Sequence, residues 1–236
     1  MGNLWKGFKE HRTFRFTSLL VILLIALVVL APVIAPYNPL EAVMKDANQA
    51  PSMAHLFGTD KLGRDVLSRI LYGGAYSLSS VLALVAIIFC VGTFLGLVAG
   101  YFGGLIDTVI MRIADMMISF PGVILAIAIA GIMGGSLVNA MIALTAVTWT
   151  KYARLSRSMV LKIRKRDFVD AAIVSGGTSS HILWTHIMPN VVPILVITAV
   201  SDIGAMMMEL AGLSFLGFGS QPPAPEWGLM LNEGRQ

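Results

Sequence analysis

The sequence predicts an all-α protein that crosses a membrane several times. Apolar residues make up 56% of the 236 residues and charged residues only 13%, with a mean hydropathy of +0.80. A soluble domain carries about twice that share of charge. Four stretches contain no Asp, Glu, Lys or Arg, namely residues 16–40, 70–106, 116–150 and 171–201. Each is long enough for a spanning helix of roughly 20 residues, and the short alternating segments of a membrane β-barrel are missing.

The first predicted transmembrane helix covers residues 16–35 and follows a basic segment, residues 1–15. That segment contains Lys6, Lys9, Arg12 and Arg15. Lysine and arginine concentrate on the cytoplasmic side of membrane proteins, so the N-terminus is expected in the cytoplasm. A cleaved signal peptide is the alternative, but the apolar stretches that follow favour a permanent helix.

Residues 36–75 are predicted to form an extracytoplasmic connection with a short helix. Gly58 and Gly63 have the spacing that begins a phosphate-binding loop, but Arg and Asp follow them where that loop has Lys and Ser or Thr. No ATP site is therefore expected here. Thr59 or Asp60 is expected to cap the helix that follows.

Residues 76–236 are predicted to form a core with four more helices, and the second helix covers residues 76–100. Gly92, Gly96 and Gly100 lie four residues apart in it. This spacing places small residues on one side of the helix, and it predicts a close contact with another helix.

The third helix is predicted at residues 105–134 and the fourth at 137–149. Pro121 should kink or break the third helix because it lacks an N–H group. Arg112 and Asp115, three residues apart, are expected to neutralise each other. The alternative is that one of these charges lies in a transport path. Charges inside a membrane are costly, so they usually occur where function needs them.

The next segment, about residues 151–189, is predicted to be a cytoplasmic loop. Seven Lys and Arg residues lie between positions 151 and 166, and four preceding spans also bring the chain back to the cytoplasm. A fifth helix is predicted at residues 193–210. The tail, residues 213–236, contains too many Gly and Pro residues to span. With a cytoplasmic N-terminus and five spans, the end of the tail is expected on the extracytoplasmic side.

Within the loop, a short amphipathic helix is predicted near residues 167–177. Val169, Ala172, Ile173 and Gly176 fall at positions i, i+3, i+4 and i+7, which is one helical face. A helix that rests on a lipid surface favours bulky Trp, Phe and Leu residues. The small residues here favour docking against another protein.

This loop resembles the "EAA" loop of the permease subunits of ATP-binding-cassette (ABC) importers. The matching pattern is an acidic residue, Asp170, then two alanines, three residues, a glycine, and His186 with Pro and Asn three and four residues later. Asp170 stands where the family usually has Glu. The resemblance implies a coupling helix that docks on an ATPase subunit, and it implies these coupling residues: Asp170, Ala171, Ala172, Gly176, Gly177 and His181.

Two further segments, residues 57–69 and 213–228, resemble the dipeptide/oligopeptide/nickel branch of these permeases. Asp202 and the methionines after it are more similar to the nickel permeases than to the peptide ones. The resemblance implies a type I ABC-importer (MetI-like) fold and a non-catalytic subunit. Nickel or a nickel chelate is the expected cargo, and dipeptides or oligopeptides are the alternative. It also implies a sixth helix after the tail, so the chain is expected to be incomplete at its C-terminus.

The same resemblance implies the partners. Two ATPase subunits would bind ATP and magnesium, a sister permease would complete the path, and an extracytoplasmic solute-binding protein would deliver cargo. This chain is expected to bind no cofactor and no nucleic acid, and to lie in a bacterial inner membrane.

Three residues of the fifth helix are candidates for a translocation path. Asp202 and Glu209 lie seven residues apart on one face, and such charges tend to face a hydrated cavity. Glu209 at the outer membrane interface is the alternative. Met206 carries a soft thioether that could contact a metal, although methionine is also an ordinary filler in helix packing, which is favoured here.

No catalytic or metal site is predicted. His181 and His186 are five residues apart, about 140° around an α-helix, so they are not expected to share a face as zinc-binding pairs do. A secondary carrier would show inverted repeats with broken helices, and a membrane enzyme would show a convergent catalytic set. Neither pattern occurs in the sequence.

Overall fold

The structure is a computed structural model that describes residues 12–235, and helices of all types account for 75% of it. The strand-like pairing in this part of the chain is one isolated bridge, between Thr59 and Asp65. The predicted all-α fold class is confirmed. Most of the predicted cytoplasmic N-terminus, with Lys6 and Lys9, lies outside the described residues.

Ten α-helices are found between residues 12 and 235, with one 3-10 helix and one π-helix. In chain order they are α1 (Arg12–Val29), α2 (Ala31–Ile34), the 3-10 helix (Met44–Asp46), α3 (Val66–Phe102), α4 (Gly104–Ile118), α5 (Gly122–Met133), α6 (Leu137–Ile163), α7 (Asp167–Val174), α8 (Ser179–His181), the π-helix (Ile182–Ile187), α9 (Met188–Phe215) and α10 (Trp227–Gly234). The chain divides into two compact units. The first comprises residues up to 78 together with 222–230, and the second comprises residues 79–221 and those from 231 onward.

The first unit is organised around the carboxylate of Asp60. It accepts hydrogen bonds from the Arg64 side chain at 2.7 Å, from the Arg69 side chain at 2.5 Å and from the backbone N–H groups of Leu62 and Arg64. Both arginine side chains are buried. Burial by itself would raise the pKa of Asp60, but these hydrogen bonds outweigh it and lower that pKa below its usual value. This network explains the polar residues of segment 57–69.

Helix α3 begins ten residues earlier than predicted because Asp65 caps it. The Asp65 carboxylate accepts hydrogen bonds from the backbone N–H of Ser68 at 2.8 Å and from its hydroxyl at 2.7 Å. The expectation that Thr59 or Asp60 would be the cap is wrong. Thr59 donates its hydroxyl to the carbonyl of Asp46. The Asp60 carboxylate accepts hydrogen bonds from Arg64 and Arg69.

Two motifs that are distant in sequence meet in this first unit. The indole N–H of Trp227 donates to the carbonyl of Ile70 at 3.0 Å. A side chain at Gly73 would place its Cβ 2.3 Å from the carbonyl oxygen of Pro225, so only glycine lets the two segments approach. Glu226 caps α10 through the backbone N–H groups of Gly228 and Leu229.

In the second unit, α3 packs closely against α6, and the predicted glycine contact is confirmed. A Cβ at Gly92 would lie 2.5 Å from the carbonyl oxygen of Trp149, and one at Gly96 would lie 2.3 Å from that of Ala153. A Cβ at Gly100 would meet a side chain of α6 at 2.8 Å. The two helix backbones therefore touch along three successive turns of α3.

The predicted break at Pro121 is also confirmed. Residues 105–134 form two helices, α4 and α5, whose axes differ by 93°. Pro121 and the residues beside it separate them. The pair forms either one broken span or a re-entrant loop.

Helix α6 continues to Ile163, although it was predicted to end at Trp149. Its first three cationic residues each form an ion pair within the second unit. Lys151 pairs with Asp202 of α9, whereas Arg154 and Arg157 pair with aspartates of α4. These charges are therefore neutralised by neighbouring helices and do not end α6.

The predicted pair between Arg112 and Asp115 is wrong. Asp115 pairs with Arg154 of α6 instead. Asp107, at the start of α4, pairs with Arg157 through both of its oxygens. Both aspartates of α4 therefore form ion pairs with cations of α6 and not with a cation of their own helix.

Helix α9 begins at Met188, earlier than the predicted start at Pro193. Pro189 lies in its first turn, where a missing N–H group costs nothing.

Within residues 12–235, three helical stretches are long and apolar enough to cross a membrane, or four if α4 and α5 form one span. Helix α6, which contains the predicted fourth span, is not among these stretches.

Candidate docking loop and intramembrane charges

The candidate docking loop connects α6 to α9 and contains α7, α8 and the π-helix. Helix α7 begins after Arg166, whose carbonyl accepts the backbone N–H groups of Val169 and Asp170. Asp167 and Asp170 lie in its first turn, where a negative charge is favourable beside the positive end of the helix dipole. Local sequence therefore accounts for the start of α7.

Gly176 and Gly177 end α7 through a Schellman motif. The N–H of Gly176 donates to the carbonyl of Ile173, and the N–H of Gly177 donates to that of Ala172, both at 3.0 Å. Gly176 has a φ of +82°, a backbone conformation that side chains disfavour. A Cβ there would meet nothing within 4 Å. Gly176 was predicted to be a docking residue. The structure shows a separate role for it, which is to end α7.

The predicted docking face of α7 is partly wrong. Val169 is fully buried, and Ala172 packs beside it against the core to which the π-helix contributes. The side chains of Phe168, Ile173 and Val174 are exposed instead, Val174 by 88%. We call Phe168, Ala171, Ile173 and Val174 the outer face of α7. Helical periodicity finds a face, but it does not decide whether that face meets the chain itself or a partner.

The other predicted coupling residues lie in the same loop. Asp170, Ala171 and His181 are exposed, and Gly177 is half-buried. A Cβ at Gly177 would lie 3.2 Å from a carbon of Ile182, so a small residue is needed where α7 turns back onto the π-helix.

His181 and His186 lie side by side, contrary to the prediction. Their ring centroids are 5.7 Å apart in an edge-to-face arrangement. The residues between them form a π-helix, in which residues five positions apart face one another, whereas α-helical geometry separates them. Residues 12–235 contain no group of three or more His, Cys, Asp or Glu residues able to hold a metal ion.

The base of the loop is fastened to the end of α3. Arg164 donates a hydrogen bond to the carbonyl of Tyr101 at 2.7 Å, and its guanidinium lies 5.6 Å from the centroid of the Tyr101 ring. Helix α7 itself packs against the π-helix, with Val169 buried in the core to which the π-helix contributes.

The three candidate path residues, Asp202, Met206 and Glu209, have different surroundings in the structure. Asp202 accepts two hydrogen bonds of 2.7 Å from the ammonium of Lys151 and one of 2.9 Å from the hydroxyl of Tyr152. Met206 is buried in the hydrophobic core, as packing would require. Glu209 is half-buried, two helical turns beyond Asp202. Sequence reasoning missed Lys151 here, because it was counted as a cytoplasmic charge.

Comparisons with known proteins cover the whole of this architecture. Residues 92–235 match the family described as the binding-protein-dependent transport system inner membrane component. Residues 1–51 match the N-terminal TM domain of oligopeptide transport permease C.

The curated relatives cover nearly the whole chain. The chain is 40% identical to the glutathione transport system permease protein GsiD of Pectobacterium atrosepticum, over 98% of this chain and 77% of that protein. It is 39% identical to the dipeptide transport system permease protein DppC of Alkalihalophilus pseudofirmus, over 98% and 76%. It is 38% identical to DppC of Haemophilus influenzae, over 98% and 80%. The chain therefore belongs to the family of inner membrane components of binding-protein-dependent transport systems, and it is a non-catalytic permease subunit of an ABC importer.

Proposed function

We propose that this permease imports short peptides, in the size range of dipeptides and glutathione. The relatives named above are glutathione and dipeptide permeases, and each alignment covers 98% of this chain. They support the dipeptide alternative and give no support to nickel, which the sequence favoured.

The outer face of α7 is the observation that carries the coupling role. Three apolar side chains, those of Phe168, Ile173 and Val174, are exposed on one short helix that lies in the chain between α6 and the π-helix leading into α9. Bulky apolar side chains could also rest on lipid, but the polar residues of α7 are the exposed carboxylates Asp167 and Asp170, and a lipid-surface helix carries Lys and Arg there. The combination of apolar and acidic side chains therefore favours a protein partner. An ATPase subunit that moves on binding ATP would displace α7, and α7 would pass that displacement to α6 and α9.

The remaining parts of the transporter follow from this role. Two ATPase subunits supply ATP and magnesium, a sister permease completes the path, and an extracytoplasmic binding protein delivers the cargo. The N-terminus and α7 face the cytoplasm, consistent with the exposed basic residues Lys162, Lys165 and Arg166 beside α7. Alternating access then moves the cargo between the two permeases.

Uptake by the complete transporter tests the cargo. We would express this chain with its partner subunits and binding protein in cells that lack peptide uptake, and we would supply labelled dipeptide, glutathione or nickel. We expect ATP-dependent uptake of dipeptide or glutathione, with nickel at background. Nickel uptake without peptide uptake would overturn the proposed cargo and restore the interpretation that the sequence favoured.

A further inference from the structure

Lys151 lies at a depth where an exposed lysine needs an explanation. It is roughly 20 Å along α6 from the first residue of that helix, and Asp202 is as far along α9 from its start. A bilayer core is about 30 Å thick, so a depth of roughly 20 Å from the start of each helix falls inside it. The Lys151 side chain is nevertheless 54% exposed. A lysine that faced lipid at this depth would be costly, so its exposed part faces a hydrated space.

The two members of this pair are held very differently. The Asp202 side chain is only 14% exposed and is fixed from two directions, by the Lys151 ammonium and by the Tyr152 hydroxyl. An ammonium has three N–H groups, and the two oxygens of Asp202 account for two of them. One N–H and half of the side chain surface stay available to another acceptor. A lysine is also a flexible point charge that exchanges partners more readily than an arginine held in a two-pronged pair.

We propose that Lys151 binds the terminal carboxylate of the peptide cargo during translocation. Asp202, itself fixed by the hydroxyl of Tyr152, holds the lysine in position until a second carboxylate shares it. This site rests on the peptide cargo proposed above, and a carboxylate is the group that every unmodified peptide presents. The cation would select such cargo inside the membrane, in addition to any selection by the binding protein.

Glu209 supplies the complementary charge for the other end of the cargo. It lies on the same face of α9 as Asp202, roughly 10 Å further along the helix. An extended dipeptide places its charged ends about 7 Å apart. The flexible lysine can cover the difference, so the carboxylate meets Lys151 while the amino group meets Glu209.

The test measures ATP-dependent dipeptide uptake by the complete transporter with its loaded binding protein. Lys151→Gln removes the cation and should lower kcat/KM for uptake by roughly tenfold or more, which corresponds to the loss of one hydrogen bond between charged groups. Lys151→Arg keeps the charge and should retain most uptake. Asp202→Asn removes the carboxylate that positions the lysine but keeps the cation, so it should lower kcat/KM less than Lys151→Gln does, without raising KM.

A charge swap separates cargo binding from a purely structural tie. The double variant Lys151→Asp with Asp202→Lys restores an ion pair between α6 and α9 but moves the cation onto α9. If Lys151 binds cargo, the swapped transporter assembles and still fails to take up peptide. As a matched control, Arg154→Gln breaks another ion pair of α6 and should leave uptake within about twofold of wild type.

Several results would overturn the site. Normal uptake by Lys151→Gln would do so, as would equal losses in Lys151→Gln and Asp202→Asn with rescue by the swap. Failure of these variants to co-purify with the partner subunits would mark the pair as structural and would also overturn it. A wild-type transporter that takes up no peptide would overturn both this site and the cargo proposal, so the two failures are distinguishable.

Discussion

Gly176 ends α7 with a φ of +82°, and a Cβ placed there would touch nothing. The need for glycine at this position therefore comes from the backbone and not from a close neighbour. A residue with a side chain costs roughly 1–2 kcal/mol in this conformation, and asparagine costs less than most because it tolerates it. A mutation at Gly176 can thus disturb the loop without touching a partner.

We predict that Gly176→Ala loosens the end of α7 and weakens ATPase binding, whereas Gly176→Asn has a smaller effect. Hydrogen exchange of residues 167–177 and recovery of the ATPase subunit with the purified permease would measure the two effects. Gly204→Ala is the matched control, because Gly204 has an ordinary helical φ and open space around it, and alanine favours helix formation. Equal exchange rates in wild type and Gly176→Ala would contradict the prediction.

At the scale of the helix, the contact between α3 and α6 depends on glycines that admit the neighbouring backbone. A Cβ at Gly96 would lie 2.3 Å from the carbonyl oxygen of Ala153 and 2.6 Å from the Cβ of Ser156. Neither neighbour is the end of a flexible side chain, so the helices themselves must separate. Ser156 would then also lose its hydrogen bond to the carbonyl of Thr93.

We predict that Gly96→Ala destabilises the second unit by about 1–3 kcal/mol, the usual cost of overpacking. Thermal unfolding of the purified permease in detergent would report it as a lower Tm. Gly131→Ala should leave the Tm nearly unchanged, because a Cβ there makes an ordinary 3.5 Å contact with Phe218. Similar Tm values for the two variants would show that α3 and α6 do not depend on this close approach.

Helix α6 shows how charges can mislead an estimate of where a helix ends. Lys151, Arg154 and Arg157 lie on one helix, and each meets an aspartate of α4 or α9. Their positive charge is neutralised by residues about 40 to 50 positions away, which no local window can register. The basic residues that follow, Lys162, Lys165 and Arg166, are exposed and keep the character of a cytoplasmic loop.

At the scale of the whole molecule, the proposed orientation places residues 36–75 outside and α7 inside. Met53 is 95% exposed and Val174 is 88% exposed, so each offers an accessible position on one of the two segments. Cys90 is the single cysteine of the chain and would be replaced first.

We predict that Met53→Cys, in a Cys90→Ser background, reacts with a membrane-impermeant thiol reagent from outside, whereas Val174→Cys reacts only from inside. The ATPase subunits should protect Val174→Cys from the reagent, because Val174 belongs to the outer face of α7. Labelling of Val174→Cys from outside would overturn the orientation and the coupling role together. Labelling that the ATPase leaves unchanged would overturn the docking role alone.

Much of the fold and of the site could be predicted because the signals are local. Charge-free stretches indicated the long apolar helices, Pro121 predicted a break, and the spacing of Gly92, Gly96 and Gly100 predicted a close contact. The acidic-Ala-Ala pattern indicated the family. Three expectations failed where a local signal competed with something else: the cap of α3, the partner of Asp115 and the separation of His181 from His186. The first two were decided by competing partners in space, and the last by a π-helix in place of an α-helix.

The sequence by itself determined a polytopic helical membrane protein, the ABC-importer permease family and the segment that carries the candidate docking loop. Hydropathy, charge and turn residues act within a few helical turns, so they can be read along the chain. The tertiary structure decided which side chains of α7 are exposed and that Lys151 meets Asp202. Those outcomes depend on pairs of residues that are distant in the chain, whose contact is set by how the helices pack.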